Sequence, residues 1–435
     1  MSEPIELFEF DVCHEKLDLN KIDLTQFSTI WYDNTTKLKA NQFVGVAQFG
    51  DTRICVYPKM YYKKDSDKDI TNEMKLDEYK KRAMSNFLFM MQYAYKIHNI
   101  KDYQTSAGHQ NFDFLEVLIF IYAKNLMDLL KVNLNRSYIV VEDDSNFLKG
   151  SWRLGEQLSR MPHIRHRFLV SYDEFTENNP LNRILKFVTF MLLRFSRNSR
   201  SQTLLQNILL VYAEVDDISK PGHTYLEQVK FSRINQEFKS IFEFAKMFLF
   251  KLAGDYSKTK NTNFSFMFDM NILFEQFIAE FIRQENLIPE GLVMKTQSEC
   301  RYLDNEKHAF MLKPDISFWN PKEKCELIID TKYKLLDENK NKSSDNDQDE
   351  KYKGVSGKDA QQMYAYAMKY NCERVILLYP KTSGKDVPVN IFNFEPGKTL
   401  EIRTLDICRD LKKDKKELEG ELRGILGLND KIKNE

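Results

Sequence analysis

The sequence has no CxxC pair, no glycine-rich phosphate loop and no long apolar run, and its charges cancel. Six cysteines (Cys13, Cys55, Cys300, Cys325, Cys372 and Cys408) are scattered through 435 residues. Without close pairs they form neither a zinc nor an iron–sulfur signature, and they suit reduced thiols in the cytoplasm. The most apolar stretch, Phe114–Ala123, contains Glu116 and falls well short of the roughly 20 residues a bilayer crossing needs. The opening Met-Ser-Glu-Pro-Ile-Glu has no apolar core, so no signal peptide is expected. These absences predict a soluble, cytoplasmic protein with no membrane partner. The 64 basic and 64 acidic residues argue against a chain that coats nucleic acid, but not against an enzyme that grips it locally. Without a P-loop or GxSxG, nucleotide hydrolysis and acyl transfer by this chain are excluded. The seven histidines are dispersed, and His163 and His166 have no companion ligands.

What is present is enough for more than one core. The length predicts two or three domains, and 42% hydrophobic residues with 13% aromatics exclude a disordered chain. Residues 1–65 read as a β-rich N-terminal domain. Within it, QFVGVAQF and TRICVYPK (Gln42–Lys59) alternate as two strands about a Gly50-Asp51 turn, ended by Pro58. Residues 66–255 form a mainly helical middle region. Helices are expected at Glu73–Tyr95, Phe112–Val132, Leu181–Phe195, Gln202–Ala213 and Tyr225–Leu252, with strands at Arg136–Glu142 and Arg167–Tyr172. The polar stretch Gly254–Asn263 marks a boundary. Residues 256–435 then read as α/β: a helix at Asn271–Gln284 and strands at Leu292–Leu303, Ala309–Trp319 and Cys325–Lys334. A helix at Asp359–Tyr370 and a strand at Arg374–Tyr379 complete the run. A charged loop spans 336–358, and the Lys/Glu-rich tail from Leu411 reads as a helix with a solvated face.

The chemistry concentrates in LKPDISFW…ELIIDTKYK. Along a strand side chains alternate faces, so Ile328, Asp330, Lys332 and Lys334 point one way and Leu327, Ile329, Thr331 and Tyr333 the other. Asp330 and Lys332 are thus neighbours, about 6–7 Å apart at the usual strand rise. A carboxylate among apolar residues is costly to bury unless it is paired or binds a cation. Asn320–Lys324 is turn-like, so a hairpin brings Asp315, after Pro314, beside Asp330. Mg²⁺ fits two such carboxylates, with Mn²⁺ as a substitute, and the Thr331 carbonyl offers another oxygen. It would stabilise phosphate charge and acidify water, with Lys332 as a point charge nearby.

This arrangement resembles the PD-(D/E)XK nuclease family, whose core runs helix, three strands, helix, strand. Pro314-Asp315 stands for the PD, and Asp330-Thr331-Lys332 for the (D/E)XK. The resemblance implies a central mixed sheet and a Glu on the first helix; Glu275 is the candidate, Glu280 the alternative. It also implies a Gln on the second helix, where Gln362 is the candidate and Gln361 the fallback.

A wider resemblance covers most of the chain. FVGVAQFGDTRICVYPKM, YDEFTENNPLNRILK and PDI…IIDTKYK with QMYAYA occur in the order and at the spacing of McrC, the nuclease subunit of McrBC-type restriction systems. The resemblance implies an α+β multidomain endonuclease that works with a McrB-like AAA+ GTPase, stimulates its GTP hydrolysis and cuts modified double-stranded DNA. The competing reading is a non-cleaving regulator of an AAA+ ring. The presence of Asp315, Asp330 and Lys332 together favours the enzyme. Asp173, Glu174, Asn182 and Arg183 are read as a polar cluster that caps the Leu181 helix, with a partner contact as the alternative. Arg160, Arg165, His166, Arg167, Lys186, Arg194, Arg197 and Arg200 are read either as a phosphate-binding concentration or as a solvated helix face.

Overall fold

A computed structural model describes residues 4–14, 27–32, 35–49, 52–59, 73–96, 114–161, 166–252, 264–297, 300–334, 351–352, 355–381, 390–395 and 397–428. By its contacts the chain divides into two units, Met1–Ile97 with Lys260–Glu435, and His98–Thr259.

The first unit opens with β1 (Ile5–Phe8), the hairpin of β2 (Phe27–Tyr32) and β3 (Thr35–Ala40), and β4 (Phe43–Phe49) and β5 (Thr52–Tyr57). β4 and β5 pair antiparallel with Phe49 opposite Thr52, the expected hairpin; its Gly50-Asp51 turn lies outside the described residues. β1 lies parallel to β5 on the far side. Helix α1 (Glu73–Ala94) follows.

The second unit contains α2 (Phe114–Val132), the three-stranded sheet of β6 (Ser137–Ser145), β7 (Ser151–Trp152) and β8 (Phe168–Thr176), and the short helix α3 (Leu154–Ser159). It continues with α4 (Pro180–Phe195), α5 (Ser199–Val211), α6 (His223–Leu226) and α7 (Lys239–Leu252). The phrase ENNPLNR has a local explanation. Asn179 caps α4 by accepting from the Asn182 N–H at 3.1 Å, and Pro180 sits where a missing N–H costs nothing. Asn182 is buried and donates to the carbonyls of Asn135 (2.7 Å) and Glu177 (2.8 Å). Asp173 and Glu174 are exposed on β8, so the expected cluster is replaced by an amide network of Asn135, Asn179 and Asn182. The long helix expected at Tyr225–Leu252 is broken. Asn235 accepts from the Ser232 N–H (2.7 Å) and donates to the Lys230 carbonyl (3.2 Å), which gives the backbone a non-helical alternative.

Returning to the first unit, β9 (Phe264–Asp269) pairs antiparallel with β4, giving a sheet of order β1-β5-β4-β9. The N-terminal strands therefore share a unit with the C-terminal region rather than standing as a domain of their own. At Gly45 the β9 backbone comes so close that a Cβ would collide with the Phe266 carbonyl, and φ is +145°, so only glycine fits. Helix α8 (Met270–Gln284) starts directly after β9, capped by Asp269. Its Phe277 and Phe281 interleave with Phe89 and Tyr93 of α1.

Then come β10 (Val293–Thr296), β11 (Arg301–Asp304), β12 (Ala309–Leu312), β13 (Ile316–Trp319), β14 (Cys325–Thr331) and the small pair β15 (Lys351–Tyr352) and β16 (Val355–Ser356). Helix α9 (Gly357–Lys369), β17 (Arg374–Pro380), β18 (Asn390–Glu395), β19 (Lys398–Leu405) and α10 (Lys415–Leu426) complete the chain. Two expected long strands are each split. The 309–319 stretch breaks at Lys313–Asp315 because Pro314 cannot donate to a ladder, and Arg301–Asp304 turns away to pair with β12. Six strands form a mixed sheet of order β10-β13-β14-β17-β19-β18, with β14, β17 and β19 mutually parallel. The interior strands β14 and β17 are almost wholly buried. One face packs Ile328, Val375 and Leu377 against Met363, Tyr366 and Ala367 of α9. Leu418, Leu422, Ile425 and Leu426 of α10 are buried as the apolar stripe of an amphipathic helix. Most of the expected 336–358 loop lies outside the described residues. Among the described residues, no helix is long and apolar enough to cross a membrane.

Candidate active site

The site lies where β14 ends. β13 and β14 run antiparallel with Ile316 opposite Ile329, so one further step of that register sets Asp315 across from Asp330. Asn320, which takes its N–H to the Lys324 carbonyl at 3.0 Å, closes the turn between them. Asp315 Oδ2 accepts from the Thr331 N–H at 2.8 Å and its hydroxyl at 2.9 Å. Asp330 is 1% exposed. The Lys332 ammonium pairs with its Oδ2 at 2.7 Å.

Strand alternation holds at this end. Lys332 meets α9 on one side of the sheet, donating to Gln362 Oε1 at 3.2 Å. Tyr333 faces the other way, its ring against Phe274 of α8. Gln362 is itself oriented, donating to the Tyr366 hydroxyl at 2.9 Å, which in turn donates to the Lys313 carbonyl at 3.0 Å. Gln361 is exposed and Gln362 half-buried, which separates the two. On α8, Glu275 is hydrogen-bonded to Gln297, whose Oε1 accepts from Lys313 at 3.0 Å. Glu280 is engaged elsewhere, with Arg283 and with Lys96 at 3.3 Å.

The electrostatics describe a carboxylate group short of positive charge. Burial, and then the neighbouring Asp315, push Asp330 up to about 7. Burial and Asp315 likewise push Glu275 up to about 7. Asp315 is raised by its own burial, against the two hydrogen bonds from Thr331. For Lys332 burial favours the neutral amine, but the carboxylates of Asp330, Asp315 and Asp359 together outweigh it and raise its pKa. Two features here have little sequence signal. Asp359, buried at the start of α9, pairs with Lys334 at 3.3 Å and adds negative charge near Asp330. Gln297, at φ +48°, links Glu275 to Lys313 across a bend between strands.

The donor set fits a hard cation. It is all oxygen, it includes the buried carboxylate of Asp330, and its acidic members are destabilised by one another. Among the described residues no three His, Cys, Asp or Glu side chains converge into a complete cage. Elsewhere, Arg160 (2.6 Å) and Arg167 (3.2 Å) both pair with Asp144 and Lys186 pairs with Asp217 (2.9 Å). That part of the basic concentration is locally neutralised rather than arrayed as a free stripe. Arg165 and His163 lie outside the described residues.

A family model described as McrBC 5-methylcytosine restriction system component matches residues 38–380. The chain belongs to that family. This is where the three sequence blocks pointed. This chain is also similar in fold to a chain of the refined half-complex from the tetradecameric assembly of Thermococcus gammatolerans McrB AAA+ hexamers with bound McrC. That similarity has 21% identity and a TM-score of 0.63, and covers 97% of this chain and 100% of the other. A chain of the cryo-EM structure of the Thermococcus gammatolerans McrBC complex is similar at 23% identity and a TM-score of 0.45, over 66% of this chain and 88% of that one. A comparison with curated proteins finds no match.

Proposed function

We propose that this McrBC-family chain is the nuclease subunit of a GTP-dependent restriction system, cutting modified double-stranded DNA with Mg²⁺ at a PD-(D/E)XK site. The observation that carries the reading is the register that sets Asp315 across from Asp330, with Lys332 2.7 Å from Asp330 and braced by Gln362. The order α8, β10, β13, β14, α9, β17 within one mixed sheet supports the same nuclease fold. Asp315, Asp330 and the Thr331 carbonyl would hold the ion, which when bound supplies Lewis-acid stabilisation of phosphate charge.

The chain's own groups do the rest. Asp315 is oriented by Thr331 through two hydrogen bonds, so its carboxylate is fixed before substrate arrives. Lys332 brings a point charge to the phosphate and is aimed by Gln362, itself held by Tyr366. Glu275, with a pKa near 7, can hold or release a proton at the pH where the enzyme works. A McrB-like AAA+ GTPase is the proposed partner, as in the Thermococcus gammatolerans assembly. It would bring the DNA and be stimulated in its GTP hydrolysis by this chain. The test combines the chain with that partner, GTP, Mg²⁺ and methylated or unmethylated DNA. Cleavage that needs both proteins and is lost in Asp330→Ala, with complex formation intact, is the expected result. Undiminished cleavage in that variant would overturn the site.

A further inference from the structure

Glu9 lies in the turn after β1, far in sequence from the site, and is fully buried. Its Oε2 accepts from the Tyr333 hydroxyl at 3.0 Å and from the Lys59 N–H at 2.9 Å. Its Oε1 is buried with no hydrogen-bond partner among the described residues. Burial pushes the carboxyl up to about 8, so it is largely a neutral acid at neutral pH. An acid held this way is an expensive means of filling space, which directs attention to what it grips.

Tyr333 directly follows Lys332. The Lys332 N–H makes a sheet bond to the Leu378 carbonyl at 2.9 Å, and the Lys334 N–H turns back to the Lys332 carbonyl at 2.9 Å. The chain therefore leaves the sheet in a tight bend centred on Tyr333. Two tethers of that side chain are its ring on Phe274, next to Glu275 in α8, and its hydroxyl on Glu9. A shift of the Tyr333 backbone would carry Lys332 with it, since the two are adjacent in that bend. We propose that Glu9 is a positioning residue for Lys332, acting through the Tyr333 hydroxyl and so making the N-terminal sheet part of the site's scaffold. The inference rests on the nuclease reading for its functional consequence, but its structural half stands apart from it.

The experiment uses the full chain as wild type, Glu9→Gln, Glu9→Ala and Tyr333→Phe. The amide of Glu9→Gln keeps an acceptor for Tyr333; the other two variants abolish the link. Hydrogen exchange of the 330–334 amides, measured well below Tm, should quicken about fivefold or more in Glu9→Ala and Tyr333→Phe, and should stay within about twofold in Glu9→Gln. With the partner present, kcat should fall about 10–100-fold in the first two, as for removal of a ligand-orienting group, with KM for DNA changed less than about twofold. Glu9→Gln should restore it. Should Glu9→Ala not fold, Tyr333→Phe carries the test alone. Unchanged exchange in a folded Tyr333→Phe overturns the proposal. If wild type fails to cut DNA with its partner, the nuclease reading falls, while the exchange data still decide the positioning role.

Discussion

Glu116 and Asp330 are both carboxylates inside a core, and their surroundings treat them in opposite ways. Glu116, in α2 of the second unit, accepts from the Ser196 hydroxyl at 2.9 Å and from the N–H groups of Arg197 and Asn198. It completes the bend between α4 and α5 and needs nothing more. Asp330 has an ammonium 2.7 Å away, set against the neighbouring carboxylates of Asp315 and Asp359, which raise its pKa. A buried charge that is fully satisfied is part of the architecture. One left wanting marks where a ligand completes the set.

The largest expected effect falls on Asp330. Asp330→Asn should cut DNA cleavage roughly 10³-fold or more, the scale of several kcal/mol of lost transition-state stabilisation. Above pH 7 its metal-free melting temperature should hold or rise, because one of several crowded carboxylates is removed. Glu116→Ala should do the reverse. It should cost about 2–4 kcal/mol in urea melts, through the donors left unpaired, while activity per folded molecule stays near wild type. A loss of stability in Asp330→Asn matching that of Glu116→Ala would break the comparison.

The next effect is in pH. Asp330 stands near 7 in the folded chain against an ordinary 3.8, so the metal-free folded state holds the extra proton. That stabilisation is complete below about 4 and is lost as pH rises through about 7, so the metal-free Tm should decline across this window in calorimetry. Mg²⁺ or Mn²⁺ must displace the proton. Titration calorimetry should therefore show affinity climbing by up to about tenfold per pH unit below 7 and levelling above it. Affinity that is flat from pH 6 to 8 would remove Asp330 from the ligand set. The smallest effects sharpen the role of α9. Gln362→Ala should slow cleavage about 3–10-fold and Tyr366→Phe about 2–3-fold, each the worth of one hydrogen bond. A rate unchanged in Gln362→Ala would show that Lys332 needs no brace.

Much of this arrangement was legible in the residues. Period-2 alternation in ELIIDTKYK placed Asp330 and Lys332 on one face, and the Asn-Pro turn supplied the hairpin that sets Asp315 across from Asp330. Gln362 and Glu275 were separable from Gln361 and Glu280 only once burial and partners were visible, because helical spacing leaves neighbouring polar residues equivalent. The strands β18 and β19, which extend the central sheet at one edge, are not among the strands expected from the sequence. The pairing of β4 with β9 joins segments more than 200 residues apart, and no local pattern reports a partner at that range. The break inside the expected Tyr225–Leu252 helix came from Asn235, whose side-chain bonds competed with a periodicity that otherwise favoured helix.

The β4–β9 pairing also sets an order of events during synthesis. β4 and β5 emerge early, but the strand that completes their sheet ends at Asp269, after the whole of His98–Thr259 has been made. At about 5–20 residues per second, the edge of β4 waits on the order of 10–40 s for its partner. Through that interval its unpaired amides and carbonyls are an open template for any neighbouring strand. The same pairing that binds the two ends of the first unit thus leaves an edge of the nascent chain open until late, and Gly45 is a position where any side chain would obstruct the docking of the late strand.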